Sequence, residues 1–168
     1  IPIPQAALLL HRSGVSRPVA SARYRPCLSV LLGYAEPISE TPYFALLDAD
    51  RAHRMGWICR ERAKRGGGSE ALVVQWGDEA SRTHWLDSDE RLIEFTLSDL
   101  ERLYGSSARN PAAASVKRWK YSQPNAATPW ETANRAADRI WIAGDGVGGG
   151  KLELAYTSGV QTAQAILE

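Results

Sequence analysis

Five glycines within seven residues, in the run Gly144, Asp145, Gly146, Val147, Gly148, Gly149 and Gly150, constrain this chain more than any other stretch. Ahead of them, Arg139 to Ala143 (RIWIA) reads as a short apolar strand. Behind them, Leu152 to Leu167 reads as a helix, with Leu152, Ala155, Tyr156, Gly159, Ala163, Ile166 and Leu167 on one apolar or small stripe. A strand, a glycine loop and a helix set unpaired backbone N–H groups and a positive dipole end against an anionic or electron-rich ligand. The spacing Gly144-x-Gly146-x-x-Gly149 also matches the dinucleotide fingerprint. Two features exclude that simple reading. The fingerprint needs a second parallel strand with an acidic residue about 20 positions on, and the sequence ends at Glu168. Asp145 would also repel an approaching pyrophosphate, whereas a carboxylate suits hydroxyl donors such as those of a ribityl chain.

At 168 residues the length suits one domain of about 150 residues. Lys and Arg number 20 against 19 Asp and Glu, a balance that argues against a nucleic-acid or membrane-surface partner. No apolar run approaches the ~20 residues of a membrane span, and no signal peptide opens the chain, so the expected location is cytoplasmic. Cys27 and Cys59 are too few for a disulfide scaffold. His11, His53 and His84 show no ligand spacing, and no C-x-x-C pair exists, so no metal site is expected. There is no G-x-S-x-G elbow. The first residue is Ile1 and the single methionine is Met55, which suggests a processed N-terminus or a piece of something longer.

Along the chain, a helix can follow Gln5, and Val15 to Arg25 reads as a connection. Cys27 to Tyr34 suits a buried strand, while Glu36 to Asp50 is Pro-punctuated and irregular. Met55 to Arg60 and Ala71 to Trp76 read as two strands of a hairpin with a long Gly-rich tip. Alternation at Arg60, Arg62 and Lys64 would set three cations on one strand face, either as a solvated face or as a phosphate contact. Ser88, Asp89 and Glu90 cap a helix carrying Leu92, Ile93, Thr96, Leu100 and Leu103, with Gly105 behind it. Ala114 to Ser122 alternates as a strand, and Thr128-Pro129-Trp130-Glu131 has the form of a capping box.

The tail from Trp141 to Leu167 resembles the C-terminal FAD signature of the flavin-containing amine oxidase superfamily. The matching positions are Gly144, Asp145, Gly148 to Gly150, Leu152, Glu153, Ala155, Ser158 and Gly159. Two more segments are similar to the renalase-like branch. Ile1-Pro2-x-Pro4-Gln5-Ala6 matches a mid-chain P-x-P-Q-A stretch, and Lys117 to Pro124 (KRWKYSQP) matches a strand of that branch. Leu154-Ala155 stands where the family has Gly-Ala, and no N-terminal strand–GxGxxG–helix unit is present.

The resemblance implies an α+β fold. A mixed, largely antiparallel β-sheet substrate domain with helices occupies about Arg23 to Gln123. Ile1 to Ser13 and Asp138 to Glu168 are pieces of an FAD-binding α/β domain, the latter as strand, Gly loop and helix. It further implies the C-terminal portion of an FAD-dependent oxidoreductase that moves a hydride from a small reduced substrate to the flavin. Residues 144–147, 149, 150, 152 and 153 (Gly144, Asp145, Gly146, Val147, Gly149, Gly150, Leu152 and Glu153) are the cofactor-binding candidates. Arg118, Trp119 and Tyr121 are the substrate-cavity candidates. With no cysteine after Cys59, FAD is expected to be non-covalent. The chain alone is expected to be inactive and to hold FAD weakly or not at all. Its apolar last helix is expected to need cover from the absent N-terminal half or a partner chain. Structural roles stand beside these: Trp119 and Tyr121 as core or interface aromatics, Asp145 as a loop cap, Glu153 as a complement to the dipole. A non-catalytic ligand-binding or interaction module using a Gly-rich loop at a helix N-terminus is the alternative.

Overall fold

The computed structural model describes residues 1–19, 23–135 and 139–167. The expected boundary at Asp138 and the last residue, Glu168, lie outside the described residues. The fold is α+β, built on a five-stranded sheet. Its strands are β1 (Arg23–Tyr34), β2 (Ala45–Leu47), β3 (Met55–Arg60), β4 (Glu70–Trp76) and β5 (Ala113–Ala126), in the order β2-β3-β4-β1-β5. The pairs β2·β3, β3·β4 and β4·β1 are antiparallel. Two units divide the chain: Ile1–Arg25 with Lys120–Glu168, and Pro26–Trp119.

In the unit Pro26–Trp119, period-2 alternation sends Leu28, Val30 and Leu32 of β1, Ile58 of β3, and Leu72, Val74 and Trp76 of β4 into one core. After β4 comes the short helix α3 (Asp78–Thr83), and helix α4 (Asp89–Tyr104) covers that face with Leu92, Leu97, Leu100 and Tyr104. Its start follows the expected chemistry. Ser88 accepts a hydrogen bond from Arg91 N–H, and Asp89 and Glu90 complement the dipole. Two buried polar groups inside this core serve each other: Trp76 Nε1 donates to Thr96 Oγ1 at 3.1 Å, and Thr96 donates to Leu92 O.

The connection between β3 and β4 departs from a hairpin tip. Glu61–Arg65 forms a helical turn, α2, closed by Gly66 at φ +71°. Arg60 is the last strand residue and is buried, donating to Ser39 O, Thr41 Oγ1 and Glu70 Oε2. Arg62 and Lys64 stand two apart on a helix, where neighbours at that spacing do not share a face. Three cations on one strand face therefore do not form. The sequence reading also missed β2, which at three residues is too short to show alternation.

The opposite face of the sheet in this unit is built from two rows of side chains. Register places Leu47, Trp57, Gln75 and Ser29 side by side, and Trp119 Nε1 donates to Ser29 Oγ at 3.1 Å, which extends the row to β5. The flanking row holds Ala45, Cys59, Val73 and Leu31. Cys59 is free and fully buried, and burial raises its thiol pKa, with Glu61 adding to the rise.

In the other unit, α1 (Ile3–Arg12) buries Ile3, Ala6 and Leu10 against Val19, Ala133, Ile142 and Val147. Pro4 sits in its first turn, where a missing N–H costs nothing. Helix α5 (Trp130–Ala133) starts without a side-chain cap, because the buried Thr128 hydroxyl donates to Val19 O instead. The expected capping box is therefore not formed. Residues 139–143 also differ from the expected regular strand and carry a single antiparallel bridge, Arg135 to Ile140. Side chains take the ladder's place there. Asn134 donates to Ile142 O and accepts from Ile142 N–H, at 2.9 and 2.7 Å, and Arg17 donates to Ile140 O.

Helix α6 spans Leu152–Leu167 as expected, and much of its apolar stripe is exposed, as expected of a helix that needs cover. Ser158 and Thr162 are buried, whereas Leu152, Tyr156, Ile166 and Leu167 are exposed. Among the described residues, no helix is long and apolar enough to cross a membrane, and no group of His, Cys, Asp and Glu could hold a metal ion.

Burial pushes the Tyr104 phenol up to about 12 from an ordinary 10, and raises Tyr34 as well. A group whose pKa is higher in the folded chain contributes stability below its unfolded pKa and loses it as pH climbs toward the folded value. Urea unfolding at a series of pH values should show stability falling between pH 10 and about 12. Tyr104→Phe should flatten that fall, and an unchanged slope would contradict the burial of this phenol.

Candidate functional site

The glycine run occupies one side of the unit Ile1–Arg25 with Lys120–Glu168. Its inner half is fixed. Val147 is fully buried and forms a parallel bridge with Thr128, through Thr128 N–H to Gly146 O and Gly148 N–H to Thr128 O. Val147 N–H also returns to Gly144 O at 3.0 Å, closing the loop on itself. Gly146 admits no side chain: a Cβ there would stand 2.3 Å from Ile3 Cγ1 and 2.4 Å from the Tyr24 hydroxyl. At Gly150 a Cβ would meet Pro124 O at 2.9 Å. Gln123 Nε2 donates to Gly150 O, and Arg25 donates in turn to Gln123.

The outer half is bare backbone. Gly144 at φ +132° and Gly148 at φ +89° hold conformations that side-chain-bearing residues rarely adopt, and nothing lies within 4 Å of where their Cβ atoms would be. Gly144 N–H donates to Ser158 Oγ at 2.9 Å, which ties the loop to the second turn of α6. Ser158 also donates to Ala155 O. Thr162 donates to Ser158 O and accepts from Trp130 Nε1, so the buried line of α6 is a chain of hydroxyls. Trp130 stacks on Trp141 with centroids 5.8 Å apart. The loop thus delivers the main chain to the start of a 16-residue helix whose first N–H groups have no partner inside the helix. Leu152 is exposed there, and Glu153 occupies the first turn.

Asp145 is half-buried beside Tyr24, whose hydroxyl donates to Asp145 Oδ1 at 3.4 Å and accepts from Ile3 N–H. Burial raises the Tyr24 pKa and the Asp145 charge adds to the rise, so this phenol stays neutral and keeps its proton. Tyr24 also meets Tyr121 edge to face at 5.7 Å.

The expected site residues therefore separate. Residues 144–153 form one continuous feature with Tyr24 and Tyr121 in the same unit. Arg118 and Trp119 belong to the other unit, where they point to opposite faces of β5, as strand neighbours must. The Arg118 guanidinium is engaged by Trp85 O, Asp87 O and Asp89 Oδ1 at the N-terminus of α4. Trp119 is half exposed on the far face, with its N–H on Ser29. Tyr24, Thr128 and Asn134 organise the loop and were not evident from sequence, since each works through contacts remote along the chain.

Comparison with known proteins bears on this arrangement. The family described as flavin containing amine oxidoreductase matches residues 1–167. A protein assigned as a protoporphyrinogen oxidase from Exiguobacterium sp. 255-15 superposes with a TM-score of 0.71 at 17% identity, over 99% of this chain and 39% of that one. Cyclohexylamine oxidase from Brevibacterium oxydans IH-35A superposes with a TM-score of 0.54 at 16% identity, over 99% of this chain and 38% of that one. The chain thus spans about two-fifths of the length of the solved structures it matches. At these identities the superpositions speak for the fold.

Two glycines in this unit make opposite predictions. Gly146→Ala should cost about 1–3 kcal/mol through overpacking against Ile3 and Tyr24. Gly159→Ala, with open space around a helical position, should gain up to about 1 kcal/mol. Thermal unfolding of both variants checks the signs, and equal effects would contradict the packing described at Gly146.

Proposed function

The chain belongs to the flavin containing amine oxidoreductase family, and from that premise we propose that it is the C-terminal portion of an FAD-dependent oxidoreductase acting on a small reduced substrate. The observation that carries this reading is the bare backbone at Gly144 and Gly148, leading directly to the start of α6. A ligand can approach that main chain without meeting a side chain, and the donors it meets are N–H groups at the positive end of a helix. The donor set fits a flavin: N–H groups for the ring's acceptor atoms, and a carboxylate for the hydroxyls of its ribityl chain.

Bound FAD supplies acceptance of a hydride from the substrate, with oxygen as the later electron sink. The protein's part is position and electrostatics. Leu152 N–H and the α6 dipole stabilise negative charge on the ring held against them. Asp145 accepts hydrogen bonds from ribityl hydroxyls, and Tyr24 fixes the carboxylate by donating to one of its oxygens. Gly149 and Gly150 let Leu154 and Pro124 pack against the main chain that leads into the helix, and Glu153 complements the dipole. Gly146 and Val147 act behind the loop, seating it on Ile3 and Thr128. In this reading Ile1 to Ser13 and the segment from Asp138 onward belong to a flavin domain, and the sheet of Pro26–Trp119 is the substrate side. Trp119 walls the substrate cavity. Arg118 supports β5 from behind through its contacts to Trp85, Asp87 and Asp89. No cysteine follows Cys59, so this tail holds the flavin without a thioether. The Ile1–Ala6 and Lys117–Pro124 motifs favour the renalase-like branch.

Asp145→Ala in the full-length protein tests the assignment. FAD dissociation should rise about tenfold, roughly 1.4 kcal/mol, with the melting temperature of the apoprotein unchanged. Unchanged FAD affinity on titration would return Asp145 to a structural role.

A further inference from the structure

We propose that the sheet row Trp57–Gln75–Ser29–Trp119 binds a planar ring compound carrying a negative charge, and that it selects against protonated amines. This rests on the reading of the Pro26–Trp119 sheet as the substrate side, and it adds a substrate class that the family description does not contain.

The row is built by register. Trp57 pairs with Gln75 and Gln75 with Ser29, while Trp119 Nε1 hydrogen-bonds Ser29 Oγ. With strands about 4.8 Å apart, the two tryptophan-bearing strands stand about 14 Å apart across the sheet, with Gln75 and Ser29 as the floor between them. Each part has the exposure its role requires. Trp119 is 49% exposed, and Gln75 is exposed at the centre. Ser29 is buried and spends its hydroxyl on fixing the indole. Trp57 is partly exposed. The half-exposed Trp119 indole, held at its N–H edge, and the partly exposed Trp57 indole present flat apolar faces, and the free carboxamide between them offers both a donor and an acceptor to polar atoms of a ring.

Charge decides the class. Neither this row nor the flanking row of Ala45, Cys59, Val73 and Leu31 contains a carboxylate. The charged side chain that reaches the row is Lys117, whose ammonium lies 5.9 Å from the centroid of the Trp119 ring. Asp48 follows Leu47 at the β2 end of the row and accepts from His53 N–H, and Glu61, beside Cys59, is paired with Lys64 and Arg65. Between Gln75 and Trp119 a protonated amine would meet the Lys117 cation, whereas an anionic ring would meet Lys117 beside an indole.

Titration calorimetry on the full 168-residue chain with two probes of matched size, 1-naphthylacetate and 1-naphthylmethylammonium, tests this directly. The acetate should bind at least about tenfold more tightly. Trp57→Phe and Trp119→Phe should largely keep that binding, and Trp57→Ala and Trp119→Ala should each lower it about tenfold or more. Gln75→Glu, an exposed substitution that leaves the core untouched, should reverse the preference toward the ammonium probe. Equal affinity of the two probes, or a Gln75→Glu chain that still prefers the acetate, would overturn the proposal. These readouts need no flavin, so they stand apart from the Asp145 test: failure here with flavin bound at the glycine loop removes the substrate class alone.

Discussion

Side chains that hydrogen-bond the main chain are what the glycine-loop unit depends on. Residues 139–150 run as loop, and a loop packed against helices must find partners for its N–H and C=O groups. Asn134 brackets Ile142 as a neighbouring strand would, Arg17 takes Ala133 O and Ile140 O, and Ser158 takes Gly144 N–H. Thr128 supplies a single parallel bridge at Val147. With these in place the inner half of the loop is fixed and the outer half can remain bare glycine. Regular strand pairing is not available to a segment with five glycines in seven residues, so side-chain clamps are the physical alternative.

The sheet unit solves a different problem. One face is a conventional core of alternating apolar residues under α4, and within it Arg60 and Glu70 form a buried ion pair at 2.8 Å. Such a pair gains little net stability against an apolar replacement, but removing one partner strands the other charge. Arg60 also takes Ser39 O and Thr41 Oγ1, so the pair fixes where the Pro-rich segment before β2 lies over the end of β3. The other face keeps two indoles and a carboxamide accessible, an expensive choice for an isolated sheet and a reasonable one for a surface that meets a ligand.

Much of this was legible in the sequence, and the reasons it was not elsewhere are physical. Helix α4 announced itself because its cap, its first-turn acids and its apolar stripe all agree locally. The strand around Leu28 to Tyr34 did so as an apolar run between Pro26 and Pro37, and Ala71 to Trp76 as an apolar run behind a glycine-rich tip. The stripe of small and apolar residues on α6 gave the right helix and an apolar face left exposed, while the packed side was not legible, since Ser158 and Thr162 are buried by making hydrogen bonds rather than by being apolar. Arg139 to Ala143 looked like a strand because periodicity reports burial and cannot report whether the partner is a ladder or the side chain of Asn134. The cations at 60, 62 and 64 were misread for the same kind of reason: a single helical turn at Glu61–Arg65 changes the period from two to 3.6. The glycine run itself was fully legible, and the family match over residues 1–167 accords with the motif that led to it.

The central claim is that the main chain from Gly144 to Glu153 is where flavin meets this protein. Backbone amide spectra of the 168-residue chain, recorded while FAD is raised to millimolar concentration, read even weak contact residue by residue. The account predicts shifts concentrated at Gly144, Asp145, Gly148 to Gly150, Leu152 and Glu153. Shifts confined to residues 26–119, or spectra unchanged at those loop amides, would contradict it.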